Sequence, residues 1–156
     1  MTELTKPLAL GVVGFSAEGF DQAAAREQLR RLIVPIVEHE RAAGRPSPEL
    51  VSGLTNQGVP KLAYALAREL GLPTVGISAK QALRARAGCF PVDRRILVGK
   101  RYGDESAAFV AMIDVLVRVG GGPQSRREVE LFRQRLALEG AGDEPRCFEV
   151  EVEWFG

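Results

Sequence analysis

The chain has 156 residues, enough to bury a real core within one domain. Hydrophobic residues make up 46% and charged residues 26%, an ordinary globular composition, and the formal net charge of +1 supplies no basic footprint for bulk nucleic-acid binding. Cys89 and Cys147 read as reduced thiols, the single histidine (His39) argues against a Cys/His zinc cluster, and no apolar run approaches the ~20 residues of a membrane helix.

Leu8 to Gly14 is a short apolar run that reads as a first strand buried on both faces, as in a parallel sheet. Gly14, Phe15, Ser16 and Gly19 break it. A glycine-bearing turn after the first strand is where α/β folds first approach a ligand, although the spacing is not the G-x-G-x-x-G of a dinucleotide fingerprint. Asp21 to Ala43 is helical in pattern, with Leu29, Leu32, Ile33, Ile36 and Val37 on one stripe. Asp21 is placed to cap it, and Pro35 is expected to kink or split it. His39, near the end of that helix, reads as a surface or rim residue. Gly44 to Pro48 is a loop.

Glu49 to Ser52 is a short second strand. Gly53, Thr55, Asn56 and Gly58 lie on the loop after it, and a helix follows over Val59 to Leu70, with Pro60 in its first turn and Gly71 as its stop. Its face of Leu62, Ala63, Leu66, Ala67 and Leu70 suits packing on a sheet. Thr74 to Ser78 is a third strand, and the short joints favour a right-handed parallel crossover. Ala79 to Ala87 is a short basic helix or turn whose Lys80, Arg84 and Arg86 read as solvated. Ile96 to Val98 is a fourth strand, and Lys100 and Arg101 on the loop after it are candidate phosphate contacts.

A short helix is expected over Asp104 to Met112 and a fifth strand over Val115 to Val119. Gly120, Gly121, Gly122, Pro123 and Gln124 form the next loop. Ser125 and Glu128 then fit a capping box that opens a helix to about Leu138. A turn over Gly142 to Pro145 leads into a final alternating run from Cys147 to Phe155. Phe148, Val150, Val152 and Trp154 share one side and Glu149, Glu151 and Glu153 the other, the pattern of an edge strand.

These elements predict one α/β domain over residues 1–156. It is Rossmann-like and doubly wound, with a mostly parallel sheet and helices on both faces. Three strand–glycine–helix junctions (Gly14 to Gly19, Gly53 to Gly58, Gly120 to Glu128) are expected to converge on one carboxyl edge. Each would offer unpaired N–H groups and a helix N-terminus to an anion, usually a phosphate.

The stretches VSGLTNQGVPKLAYALARELGLPTVGI (residues 51–77) and IDVLVRVGGGPQSRREVE (residues 113–130) resemble the SLOG superfamily. This Rossmann-like group includes the cytokinin-activating LOG phosphoribohydrolases and the DprA core, and the resemblance runs from Leu8 to about Leu138. Against the LOG pattern P-G-G-x-G-T-x-x-E, Gly121 and Gly122 match the glycine pair and Glu128 the glutamate. Asp114 matches the aspartate before the strand. Gly120 stands for the leading proline, Gln124 for the third glycine and Ser125 for the threonine. Glu105 stands where the LOG catalytic arginine is expected, and a carboxylate cannot hold an anion as a guanidinium can.

The resemblance implies a domain that binds a nucleotide or related phosphorylated ligand, in a sensor, carrier or accessory role. The implied binding residues are Gly14, Ser16, Gly53, Thr55, Asn56, Gly58, Lys100, Arg101, Gly120, Gly121, Gly122, Gln124 and Ser125. The alternative is a LOG-like phosphoribohydrolase that cleaves the N-glycosidic bond of a nucleoside 5′-monophosphate, with Glu128 acting on the ribose or the attacking water. No cofactor and no metal are implied. Nucleic acid and membrane are not expected partners. A homodimer is expected by resemblance, and a cytoplasmic location from the absence of a secretory signal.

Overall fold

The computed structural model describes residues 6–140 and 145–156. The short apolar runs form parallel strands: β1 (Ala9–Gly14), β2 (Glu49–Ser52), β3 (Thr74–Ser78), β4 (Arg94–Leu97), β5 (Val115–Val119) and β6 (Cys147–Val150). They make one sheet in the order β4-β3-β2-β1-β5-β6, with every pairing parallel. β3 and β5 are buried at every position, as strands covered on both faces must be.

Helices α1 (Gln22–Ala42) and α2 (Gly58–Leu70) cover one face, with Leu29, Ile33, Ala63 and Tyr64 packed against Leu10, Val12 and Val117. Helices α3 (Ser106–Met112) and α4 (Pro123–Leu138) cover the other, with Phe109, Ile113, Val129 and Phe132 against Val13, Val51 and Leu116. A 3₁₀ helix, Lys80–Arg84, follows β3. The fold is thus the expected Rossmann-like α/β arrangement. The chain steps from β1 outward to β4, then returns to lay β5 on the other side of β1. The carboxyl ends of β1 and β5 therefore flank the point where strand order reverses, where such sheets hold ligands.

Several local expectations are corrected. α1 runs unbroken through Pro35, capped as expected by Asp21, whose carboxylate accepts from the Ala24 N–H at 3.0 Å. β4 begins at Arg94, two residues before the expected start. The turn expected at 142–145 falls mostly outside the described residues. The final run keeps its role as an edge strand, but β6 ends at Val150. Beyond it the chain bends back, so that Trp154 bridges Phe20 and its ring lies 5.1 Å from that of Phe15. The capping box is absent: α4 starts at Pro123 with Gly122 as N-cap and no side-chain cap bond. Proline is preorganised for the first helical position and claims it, which shifts the helix start two residues upstream of Ser125. The apolar face of α2 lies in this chain's own core.

β5 also carries a buried cation inside its apolar run. Arg118 is 3% exposed and faces the neighbouring strand β6, where its guanidinium pairs with Glu149 at 2.7 Å and Glu151 at 2.6 Å. Burial would lower its pKa, but the hydrogen bonds it donates to the Glu151 and Glu149 carboxylates, together with their charge, outweigh that and raise it. Arg118 also donates to the Gly120 carbonyl at 2.8 Å, which ties the edge-strand glutamates to the glycine loop.

Candidate functional site

The three glycine junctions meet at the carboxyl edge, and the fit between them is close. A Cβ on Gly14 would stand 2.1 Å from the Val119 carbonyl oxygen, and one on Gly58 would stand 2.3 Å from the Phe15 carbonyl oxygen. Gly121 has φ +106°, and a Cβ there would meet the Ser125 hydroxyl at 2.1 Å and the backbone of Gly14 at 3.0 Å. Only glycine accommodates both that dihedral and that approach. The Val59 N–H donates to the Phe15 carbonyl at 2.7 Å, and the Gln57 amide donates to the Ser16 carbonyl at 2.7 Å. The first and second junctions are therefore bonded together, and the third is packed on the first.

This convergence leaves a cavity of about 450 Å³ between the loops. Of the residues expected to bind, Gly14, Ser16, Gly53, Thr55, Gly122, Gln124, Ser125 and Glu128 line it. Gly58, Gly120 and Gly121 do not; the first packs on Phe15 and Ser16, the second on the Phe15 ring, the third on Gly14 and Ser125. Asn56 is also outside the lining. Its N–H donates to the Gly88 carbonyl, and its buried Oδ1 has no partner among the described residues. Lys100 and Arg101 lie apart, in a second cleft with Lys80, Gln81 and Arg84. Asp114 sits at the opposite, amino edge, where its carboxylate accepts from the Ala9 N–H at 2.8 Å and pins the start of β1 beside β5.

One end of the cavity is defined by α4. The N–H groups of its first turn lack intrahelical partners, as at any helix start, no side chain caps them, and they carry the positive end of the helix dipole. The Ser125 hydroxyl donates to the Gly122 carbonyl at 3.0 Å, holding the turn. Arg86 lines the same cavity from the loop after the 3₁₀ helix, with no ion pair among the described residues. Pattern reading took it for a solvated charge, and only the fold brings it to the cavity.

A pair of buried acids also lines the cavity. Glu128 is 6% exposed and Glu105 is 5% exposed. The Ser106 hydroxyl, at the start of α3, donates to Glu128 Oε2 at 2.9 Å. Glu105 accepts from the Gly103 N–H at 2.7 Å, and the Gln124 amide lies 3.5 Å from its other oxygen. Burial pushes the Glu128 carboxyl up to about 7; the Ser106 bond opposes the rise and the negative charge of Glu105 adds to it. A carboxyl group that titrates near neutrality can give or take a proton there. Glu105 stood out in the sequence only as the wrong residue for an arginine. The lining also has an apolar part that includes Val12, Val13, Ile77 and Phe109.

Among the described residues no group of three His, Cys, Asp or Glu side chains could hold a metal ion, and no helix is long and apolar enough to cross a membrane. His39 is exposed near the end of α1, away from the cavity, and both cysteines are free thiols. No family model matches the chain. The chain is similar to the ATP-dependent zinc metalloprotease FtsH 3 of Sphaerobacter thermophilus, at 28% identity over 133 residues. The match takes in 82% of this chain but spans only 27% of that protein. With a single histidine this chain has no H-E-x-x-H, and it has no G-x-x-x-x-G-K-[ST], so it carries neither of those zinc and phosphate motifs.

Proposed function

We infer that the cavity at the carboxyl edge binds a nucleotide or related phosphorylated small molecule, in a sensing, carrying or accessory role. The observation that carries this reading is the uncapped N-terminus of α4 opening into a cavity at the strand-order switch between β1 and β5. In this reading Gly122, Gln124 and Ser125 take the phosphate, with Arg86 as the nearby cation. Glu105 and Glu128 accept hydrogen bonds from sugar hydroxyls. The apolar wall of Val12, Val13, Ile77 and Phe109 receives the base. The matched relative is ATP-dependent by name, so adenine nucleotides are the first ligands to try. Titration calorimetry with adenosine monophosphate, set against adenosine, tests the reading. Micromolar binding that requires the phosphate supports it; no binding of any nucleoside monophosphate in a base panel sinks it.

The acid pair favours a second reading, hydrolysis of the N-glycosidic bond of a nucleoside 5′-monophosphate. Water would bond to the anomeric carbon as the carbon–nitrogen bond breaks. Glu128 would give its proton to the departing base, and Glu105 would take the proton that water loses. What supports this is a carboxyl poised near 7 beside a second carboxylate. Incubation with the same monophosphates should then release free base and ribose 5-phosphate in equal amounts. Binding without release of base leaves the first reading and removes the second.

A further inference from the structure

Lys100 and Arg101 do not reach the main cavity, yet they are not scattered surface charges. They line a separate cleft of about 490 Å³ with Lys80, Gln81 and Arg84, and no carboxylate lines it. Two segments build it, the 3₁₀ helix after β3 and the loop after β4. Backbone bonds clamp them together: the Lys80 N–H donates to the Gly99 carbonyl at 3.1 Å and the Gln81 N–H to the Lys100 carbonyl at 3.0 Å. The Gln81 side chain accepts from the Tyr102 N–H at 3.0 Å. Asp104 braces the loop, where one carboxylate oxygen accepts from the N–H groups of Lys100 at 2.9 Å and Arg101 at 3.0 Å, and its charge also acts on the Arg101 side chain without forming a salt bridge. The cleft is thus held open before anything enters it.

Four cations around one cleft repel one another, and this chain has a net charge of only +1 to distribute. Several arginines elsewhere are matched with carboxylates: Arg30 with Glu69, Arg94 with Glu49, Arg133 with Glu149, Arg135 with Glu139. Lys80, Arg84, Lys100 and Arg101 form no salt bridge among the described residues. A preformed concave cluster of four cations without salt bridges suits a compact, multiply charged anion rather than a single carboxylate. The cleft also adjoins the main cavity along the chain. Arg84 precedes Ala85 and Arg86 of the main lining, and Arg101 precedes Tyr102 of that lining.

We propose that this second cleft binds an oligophosphate group, through Lys80, Arg84, Lys100 and Arg101. Two sources share that chemistry. It is either the phosphate tail of a nucleotide seated in the main cavity or a free oligophosphate. The nucleotide-tail source rests on the reading of the main cavity, whereas tripolyphosphate binding at the cleft is tested separately from it.

Calorimetry on the full chain at low and moderate salt tests it, with inorganic tripolyphosphate, adenosine monophosphate and adenosine triphosphate as probes. The wild type is compared with the charge-reversed Lys80→Glu/Lys100→Glu variant and the milder Lys80→Gln/Lys100→Gln variant. Tripolyphosphate is expected to bind the wild type and to bind the reversed variant at least about tenfold more weakly, with the glutamine variant between. If the triphosphate binds better than the monophosphate and tripolyphosphate, and both variants lose only that gain, the source is a nucleotide tail. If it binds no better than tripolyphosphate, the source is free oligophosphate. Equal tripolyphosphate affinity in wild type and both variants overturns the proposal, as does no tripolyphosphate binding by the wild type. So does a single-stranded oligonucleotide that binds in its place with the same charge dependence. Monophosphate binding without tripolyphosphate binding keeps the main-cavity reading and removes this one; tripolyphosphate binding with no binding by any nucleoside monophosphate of the base panel removes the other.

Discussion

Glu128 is the residue on which the site turns, and its environment sets a pH dependence with a definite sign. Its folded pKa, about 7, lies above the ordinary value of 4.5. Between those values the native state holds a proton that the unfolded chain has lost, so the stability present below pH 4.5 declines as pH rises through about 7. The loss is on the order of 3 kcal/mol once Glu128 is ionised in the folded state as well as in the unfolded chain. Glu128→Gln keeps a neutral side chain of the same size beside Ser106 at every pH. It is expected to flatten the decline and to be more stable than the wild type at pH 8, as read by urea unfolding at pH 5 and pH 8. A wild-type stability that does not fall over that interval would show that the carboxyl is not held protonated. Under the hydrolytic reading the same variant loses base release while it still binds the monophosphate. The sequence marked Glu128 but gave it the wrong neighbour. The pattern Ser125-x-x-Glu128 satisfies a capping box, and nothing local says that Pro123 will start the helix first. Its actual partners, Ser106 and Glu105, come from α3, which the sequence brings near only through the whole fold.

At the scale of elements, β6 is tied to the sheet by charge as well as by strand pairing and packing. The alternation of Glu149 and Glu151 read as a wet face, and those side chains are indeed exposed, at 31% and 61%. That they neutralise a buried arginine was not readable, because it depends on the register that sets Arg118 opposite Glu149. β4 was mislocated for a related reason: Arg94 and Arg95 are exposed on the far edge, so hydropathy gives no sign that they pair with β3. By contrast β1, β2, β3 and β5 are short apolar runs between turn signals, and their positions were legible throughout. The Arg118 cluster makes an asymmetric prediction. Glu149→Gln/Glu151→Gln leaves a buried cation without a charged partner and is expected to cost about 3 kcal/mol. Arg118→Met leaves two carboxylates that water can solvate and is expected to cost clearly less. Urea unfolding of both variants checks the order, and a reversed order would place the energy in the arginine stem rather than in its charge. Acid acts in the same direction. Hydrogen bonds from Arg118 and then Arg126 hold Glu151 down to about 2, so its contribution is present above its ordinary range and is lost as pH falls toward 2.

For the molecule as a whole, the candidate site is a property of topology rather than of any one motif. The cavity is lined from the ends of β1, β2 and β3 and by the first turns of α4, which follows β5 on the other side of β1. The sequence showed three glycine junctions but could not say which glycines would face a ligand and which would only let the loops touch. Gly14, Gly53 and Gly122 line the cavity, whereas Gly58, Gly120 and Gly121 lie outside its lining where two junctions press together, a contact that Gly14 shares. A ligand that bridges these elements must stabilise the folded chain as a unit, because unfolding any one of them dismantles the site. At a free concentration of 100 times its Kd, a nucleoside monophosphate is expected to add about 2.7 kcal/mol. For a chain of this size that amounts to a rise in Tm of roughly 5–10 °C. Differential scanning calorimetry with adenosine monophosphate, against adenosine at the same concentration, makes the comparison. A rise with the phosphate-bearing compound alone ties the stabilisation to the α4 end of the cavity. An equal rise with adenosine would shift the recognition to the apolar wall, and the N-terminus of α4 would then hold the loop together without holding the ligand.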